Sequence, residues 1–322
     1  MWLQLRLYIL IGLLFSILYG VIVGIGYLLG YTGFTFFILI FGMAFLMIFI
    51  QFLIGPKIVE WSMRVRYIKE NEYPNLHRMV ERLANNANLP KTPRIGISEI
   101  NLPNAFAFGR TRRGSRVCVT RGLIDILSED ELEAVIGHEL SHIKHRDVAF
   151  ITMLSVVPMI CYMLYVTFFW GGMMGRRSRD SGGTIAIGLL ALAVYFLTNL
   201  FVLYGSRIRE YYADSGSIKL GCKPHNLATA LYKISVASAR TPKNLLKRSE
   251  GMKAFFLNDP SKALNEVREL KDIDLDMSGT IDPDELQALT ARKIKLSAAD
   301  RLLEVFSSHP NMKKRIKHLA SL

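Results

Sequence analysis

The chain has 322 residues, 51% of them hydrophobic, a mean hydropathy of +0.25 and a formal net charge of +13. That hydrophobic share is high for a soluble domain. The 40 Lys and Arg residues are spread along the chain without an aromatic-interleaved binding motif, which argues against nucleic acid as a partner.

Four apolar runs account for the composition: 8–28, 34–54, 149–171 and 184–205. Each is about 20 residues without a charged side chain, enough to cross roughly 30 Å of hydrocarbon. The first has no small-residue cleavage site after it and a second run follows at once, so it reads as an anchor and not a removed leader. The second pair carries Pro158 and Asn199, and a buried core hairpin is the alternative for it. Lys57, Arg64, Arg66 and Lys69 follow the second run, Lys144 and Arg146 precede the third, and Arg207 and Arg209 follow the fourth. The linker 29–33 has no charge. Positive residues collect on the cytoplasmic side, so the expectation is a multi-pass protein of the cell (inner or plasma) membrane with both termini cytoplasmic. Arg176, Arg177 and Arg179, between runs three and four, oppose it.

The soluble stretches are 56–148 and 206–322. Residues 75–87 have helical periodicity, with Leu76, Met79, Val80 and Leu83 on one face. Residues 94–99 read as a strand, and 104–109 with 116–120 as a β-hairpin with Gly109 and Gly114 near its turn. A strand edge at Asn104, Ala105, Phe106 and Ala107 is expected to pair with an extended substrate backbone; an internal hairpin with both edges covered is the alternative.

The stretch 135–147 contains His138-Glu139-Leu140-Ser141-His142, an H-E-x-x-H motif. On a helix the two histidines stand on one face and can hold one zinc ion. Glu139 is placed to act on a water without binding the metal itself. Ser128 and Glu131 form a capping box ahead of it. A third histidine ligand in the H-E-x-x-H-x-x-G-x-x-H pattern is excluded by His145 and Val148, and His145 reads as a surface residue or a polar helix-end contact. Glu210 is the candidate third ligand, and Asp214, one turn on, can orient a ligating histidine. The alternative pairs both carboxylates with Arg207 and Arg209 on a solvated helix. If Glu210 joins the histidines, an even number of crossings separates them, and two apolar runs do.

Cys118, Cys161 and Cys222 are odd in number and outside any C-x-x-C pair, which argues against a disulfide framework and thiolate ligation and agrees with a reducing compartment. The second metal signal is 274–285, a twelve-residue EF-hand pattern. Asp274, Asp276 and Ser278 take positions 1, 3 and 5, Gly279 makes the turn, Thr280 offers its carbonyl and Glu285 closes the site on calcium. Helices over 263–270 and 286–294 would flank it. The alternative is an acidic loop in an unpaired hand, too weak to fill. His309 precedes a helix opened by Pro310.

Together these residues resemble the HtpX-like membrane zinc metallopeptidases, relatives of the CAAX prenyl proteases. The resemblance covers nearly the whole chain and rests on the paired apolar runs, Asn104-Ala105-Phe106-Ala107, the H-E-x-x-H motif, Arg209-Glu210-Tyr211-Tyr212-Ala213-Asp214 and His309-Pro310. It implies a mainly α (α+β) integral membrane protein with four transmembrane helices and a zincin-like cytoplasmic catalytic domain of gluzincin type carrying a small β-sheet. The order would be a transmembrane hairpin (1–55), a first catalytic segment (56–148), another transmembrane hairpin (149–205) and a closing catalytic segment (206–322). It implies zinc on His138, His142 and Glu210, with Glu139 catalytic, and hydrolysis of misfolded or damaged membrane proteins or unfolded polypeptides at the lipid bilayer. By similarity, His309 and Arg315 would face the reacting carbonyl. The calcium loop departs from the group. The competing readings are a CAAX-type prenyl-protein endoprotease and a non-catalytic, calcium-responsive membrane scaffold.

Overall fold

The computed structural model describes residues 2–29, 34–174, 181–241, 266–267, 270, 272–292 and 297–322. It divides into two compact units, each built from two stretches of chain: Met1–Ile54 with Ala149–Ile208, and Gly55–Val148 with Arg209–Leu322.

Long apolar helices make the first unit: α1 (Trp2–Leu29), α2 (Phe34–Ser62), α6 (Asp147–Met174) and α7 (Ser181–Lys219), of which α2 and α7 continue into the second unit. Leu10, Leu14 and Leu18 of α1 pack with Leu154, Val157 and Ile160 of α6. Phe45, Leu46 and Phe196 stay exposed. Helices apolar all round suit hydrocarbon surroundings. Among the described residues three are long and apolar enough to cross a membrane, Phe41–Ser62, Asp147–Met173 and Gly182–Lys219, against the four expected; a shorter apolar helix, Ile9–Val21, lies within α1. Arg176, Arg177 and Arg179 lie outside the described residues.

The second unit packs helices on a four-stranded sheet of β1 (Val65–Tyr67), β2 (Arg94–Ser98), β3 (Ala105–Phe108) and β4 (Arg116–Thr120), in the order β1-β2-β4-β3. β2 and β4 run parallel and the other pairs antiparallel. The expected hairpin is β3–β4. Its turn needs a glycine at 109, where φ is +141° and an added Cβ would lie 2.7 Å from the Gly114 carbonyl oxygen. Strand β1 has no counterpart among the sequence expectations, because three residues carry no readable alternation.

Helix α3 (Pro74–Asn86) buries Leu76, Met79, Val80 and Leu83, the face its periodicity marks. After the short α4 (Arg121–Ile124), α5 (Glu129–His145) opens on the expected capping box: Ser128 Oγ accepts the Glu131 N–H at 3.4 Å and Glu131 Oε2 accepts the Ser128 N–H at 2.9 Å. Arg146, at φ 58°, ends it. Then come α8 (Pro224–Ala239), α9 (Pro283–Ala291), α10 (Ala298–Val305) and α11 (Met312–Ala320). Val135, Ile136 and Leu140 of α5 share one core with Ile97, Leu227 and Ile316. The helix expected after the acidic loop is α9; most of the one expected at 263–270 lies outside the described residues.

Candidate active site

Small residues let α5 and the end of α7 meet closely. A Cβ added at Gly137 would lie 2.8 Å from both Cys222 Sγ and Ser217 Oγ, and one at Gly216 would run into the Ser141 hydroxyl, 2.6 Å from its Cβ. Ser217 Oγ donates to the Ala134 carbonyl at 2.7 Å, fixing the register. The crossing sets Glu210 and Asp214, six and two residues before Gly216, against His138 and His142.

The two imidazoles stand 4.7 Å apart between centroids and nearly perpendicular, at 84°. Their Nε2 atoms converge to 3.1 Å. Glu210 approaches both, Oε2 at 3.7 Å from His138 Nε2 and Oε1 at 3.6 Å from His142 Nε2. Each ring is held from behind through Nδ1: His138 by Asp214 at 2.9 Å and His142 by Asp147 at 2.6 Å. A carboxylate on Nδ1 accepts its N–H, fixes the tautomer and leaves the Nε2 lone pair free for a metal. His138, Glu139 and His142 each offer a ligand atom, all within 4.8 Å of one another; Glu210 adds its carboxylate from the second helix.

Glu210 and Asp214 are buried, at 5% and 0% exposure. The solvated-helix alternative therefore fails, and Arg209 turns instead to an ion pair with Asp147. Arg315, at 0% exposure, balances the two carboxylates: Nε and Nη2 meet Asp214 at 3.0 and 2.6 Å, and Nη1 lies 3.1 Å from Glu210 Oε2. His309 Nδ1 is 3.2 Å from the same oxygen. Yet Glu210 Oε2 and both His309 ring nitrogens are buried without a hydrogen bond of proper geometry. Glu139 is 4% exposed. Burial raises its pKa, while His142, His138 and the Ala107 N–H of β3 oppose the rise.

Strand β3 ends the sheet, next to α5. Asn104 precedes it: its N–H donates to Thr120 Oγ1 at 2.8 Å and its carbonyl accepts the Thr120 N–H at 2.9 Å. With Asn104 bonded to Thr120, alternation turns the backbone N–H and C=O groups of Phe106 and Phe108 to β4 and those of Ala105 and Ala107 away from it. The Ala107 N–H accordingly reaches Glu139.

The profile of Peptidase family M48 matches residues 70–322. The chain belongs to peptidase family M48. A Protease HtpX homolog of Methanothermobacter thermautotrophicus is 50% identical over 232 residues, 72% of this chain and 85% of that protein. One of Moorella thermoacetica is 36% identical over 295 residues, 91% of this chain and 84% of that protein. S. mikatae Ste24p shares the fold, with a TM-score of 0.55 at 17% identity over 96% of this chain; the chain spans 62% of that one.

For this M48 chain, sequence reasoning missed Asp147. It falls after the helix break at Arg146, so no helical spacing ties it to His142; its place two residues past the last histidine of the motif stretch was the available signal. His145 is exposed, with Nδ1 2.9 Å from the Ser141 carbonyl and 3.1 Å from its hydroxyl, the helix-end contact expected. The three cysteines are free and buried. The acidic loop lies apart in sequence and brings Asp274, Asp276 and Glu285 within 4.8 Å of one another. Ser278 and Thr280 bond each other through their hydroxyls at 2.8 Å.

Proposed function

We propose that this M48 peptidase is a membrane zinc metalloendopeptidase that cleaves misfolded or damaged membrane proteins and unfolded polypeptides. The observation that carries it is one cluster: two imidazoles aimed by carboxylates, a third carboxylate from α7, and Glu139 between them and a strand edge.

The donor set fits zinc. Two imidazole nitrogens and a carboxylate are the ligands of a catalytic site with one position open, and Glu210 Oε2 is a buried oxygen without a hydrogen bond of proper geometry, with the ion-pair contacts of Arg315 and His309 near it. His138, His142 and Glu210 would hold the ion. When bound, zinc supplies Lewis-acid polarisation of the scissile carbonyl and lowers the pKa of a water. Glu139 takes the proton of the attacking water and returns it to the leaving nitrogen. Ala105 and the carbonyl of Ala107 pair with the substrate backbone by strand addition, which recognises an extended chain without demanding a sequence; the Phe106 backbone turns the other way, and Asn104 supports the strand through Thr120. Asp214 and Asp147 orient the histidines. His309 donates to the oxyanion as it forms, while Arg315 neutralises Asp214 and Glu210.

The setting proposed with it is four spans, with the catalytic unit and both termini on the cytoplasmic face; three membrane-length helices and a shorter apolar one in α1 among the described residues support it. No observation favours a prenylated substrate, and a scaffold has no use for a buried Glu139 beside two aimed imidazoles. The deciding experiment is cleavage of an unfolded membrane protein by wild type and Glu139→Gln, with and without chelator. The variant is expected to keep its zinc and lose cleavage by about 100- to 10,000-fold. Full activity in Glu139→Gln, or chelator-resistant cleavage by wild type, overturns the reading.

A further inference from the structure

Residues 274–285 form a tight turn, with Met277 and Gly279 at φ 59° and 81°. Asp274 is 5% exposed. Its Oδ2 accepts the Gly279 N–H at 3.1 Å, but its Oδ1 is buried without a hydrogen bond of proper geometry. Burial, and then the hydrogen-bonding and charge of the neighbouring Asp274 side chain, push the Tyr232 hydroxyl of α8 up to about 12. Burying a carboxylate oxygen without a donor is costly, and a cation would remove that cost.

We propose that the 274–285 loop is a calcium site, liganded by Asp274, Asp276, Ser278, the Thr280 carbonyl and Glu285, and that filling it braces α11 and the Arg315 it carries. All the donors are oxygens, three of them carboxylates, at the spacing that a calcium loop requires. Hard oxygen donors select calcium over zinc. The cation site stands without the peptidase reading; only the consequence for Arg315 rests on it.

The bracing follows from where Glu285 sits. Its Oε1 accepts the Leu275 N–H at 2.6 Å and its Oε2 the Asp282 N–H at 3.0 Å. A cation would draw these oxygens inward, and Glu285 belongs to the first turn of α9. Leu286 and Leu289 of α9 share a core with Ile316 and Leu319 of α11. Two polar ties run the same way: Lys313 Nζ meets Asp272 at 3.3 Å, and Lys317 Nζ donates to the Arg292 carbonyl. On the other side, Thr229 Oγ1 accepts the Ile281 N–H at 2.9 Å and donates to its carbonyl at 3.1 Å, pinning the loop to α8. Arg315 lies in the middle of α11, so a firmer α9–α11 contact reaches the clamp on Asp214 and Glu210.

The test uses the full chain in detergent. Terbium, a calcium-sized ion whose luminescence tyrosine sensitises, is titrated and then displaced with calcium, and amide exchange over 312–320 is followed with and without calcium. The expected results are a calcium Kd of about 1 mM or tighter, a bound-terbium signal at least about 10-fold lower in Glu285→Gln and in Asp276→Ser, and slower exchange in calcium for wild type alone. Asp276 is exposed, so its variant reports binding even if Glu285→Gln misfolds. Absent binding, or equal binding by Asp276→Ser, overturns the site. Binding without any change over 312–320 overturns the bracing.

Discussion

Arg315 has three nitrogens committed to carboxylates on α7, so its first duty is charge balance. Two buried carboxylates beside two imidazoles repel each other, and one buried guanidinium between them makes the cluster tolerable. Removing a single partner of such a pair leaves an uncompensated buried charge, at about 3–5 kcal/mol. Arg315→Leu is therefore expected to unfold that much more easily in a denaturant titration, whatever its effect on cleavage; unchanged stability would show the carboxylates balanced by something else. Asp147 acts one step further out. It holds His142 Nδ1 at 2.6 Å and also pairs with Arg209. Loss of such an outer partner costs about 10- to 100-fold in metal affinity. Asp147→Ala should show that loss in competition with a chromophoric chelator, and full affinity would mean that the ring needs no support.

At the scale of elements, the α5–α7 crossing decides whether a site exists. Gly137, Ser141, Gly216 and Ser217 let the backbones approach, and the metal-type ligands lie within two turns of that contact. An alanine at an exposed helical glycine gains about 1 kcal/mol. Here overpacking costs about 1–3 kcal/mol instead. Gly216→Ala should lower thermal stability and loosen zinc retention together, since moving α7 moves Glu210. A stabilised Gly216→Ala would mean that Ser141 yields freely.

The whole molecule is interleaved: the catalytic unit is made from 55–148 and 209–322, with two membrane-length helices between them in sequence. His142 and Glu210 lie 3.6 Å apart, so the chain between them must return to the side it left. With Lys and Arg flanking the runs, the side we propose for it is the cytoplasmic one. Reporters at either terminus are expected to read cytoplasmic, and one inserted after Met174 to read the opposite face. Matching signals at all three places would mean that α6 and α7 do not cross.

The H-E-x-x-H helix, its capping box, the β3–β4 hairpin and the acidic loop were legible because each signal is local: a period, a cap or a fixed spacing over a dozen residues. Glu210 and Asp214 were legible as a one-turn pair beside a strong motif. The sequence alone therefore determined which residue types stand at which spacing. Tertiary structure decided who meets whom, and the reason is distance along the chain. Arg315 reaches Asp214 across 101 positions, β1 joins the sheet with three residues, and Asp147 finds His142 only because Arg146 turns the chain with a positive φ. No local periodicity encodes such meetings; they exist only once close packing has brought the helices together.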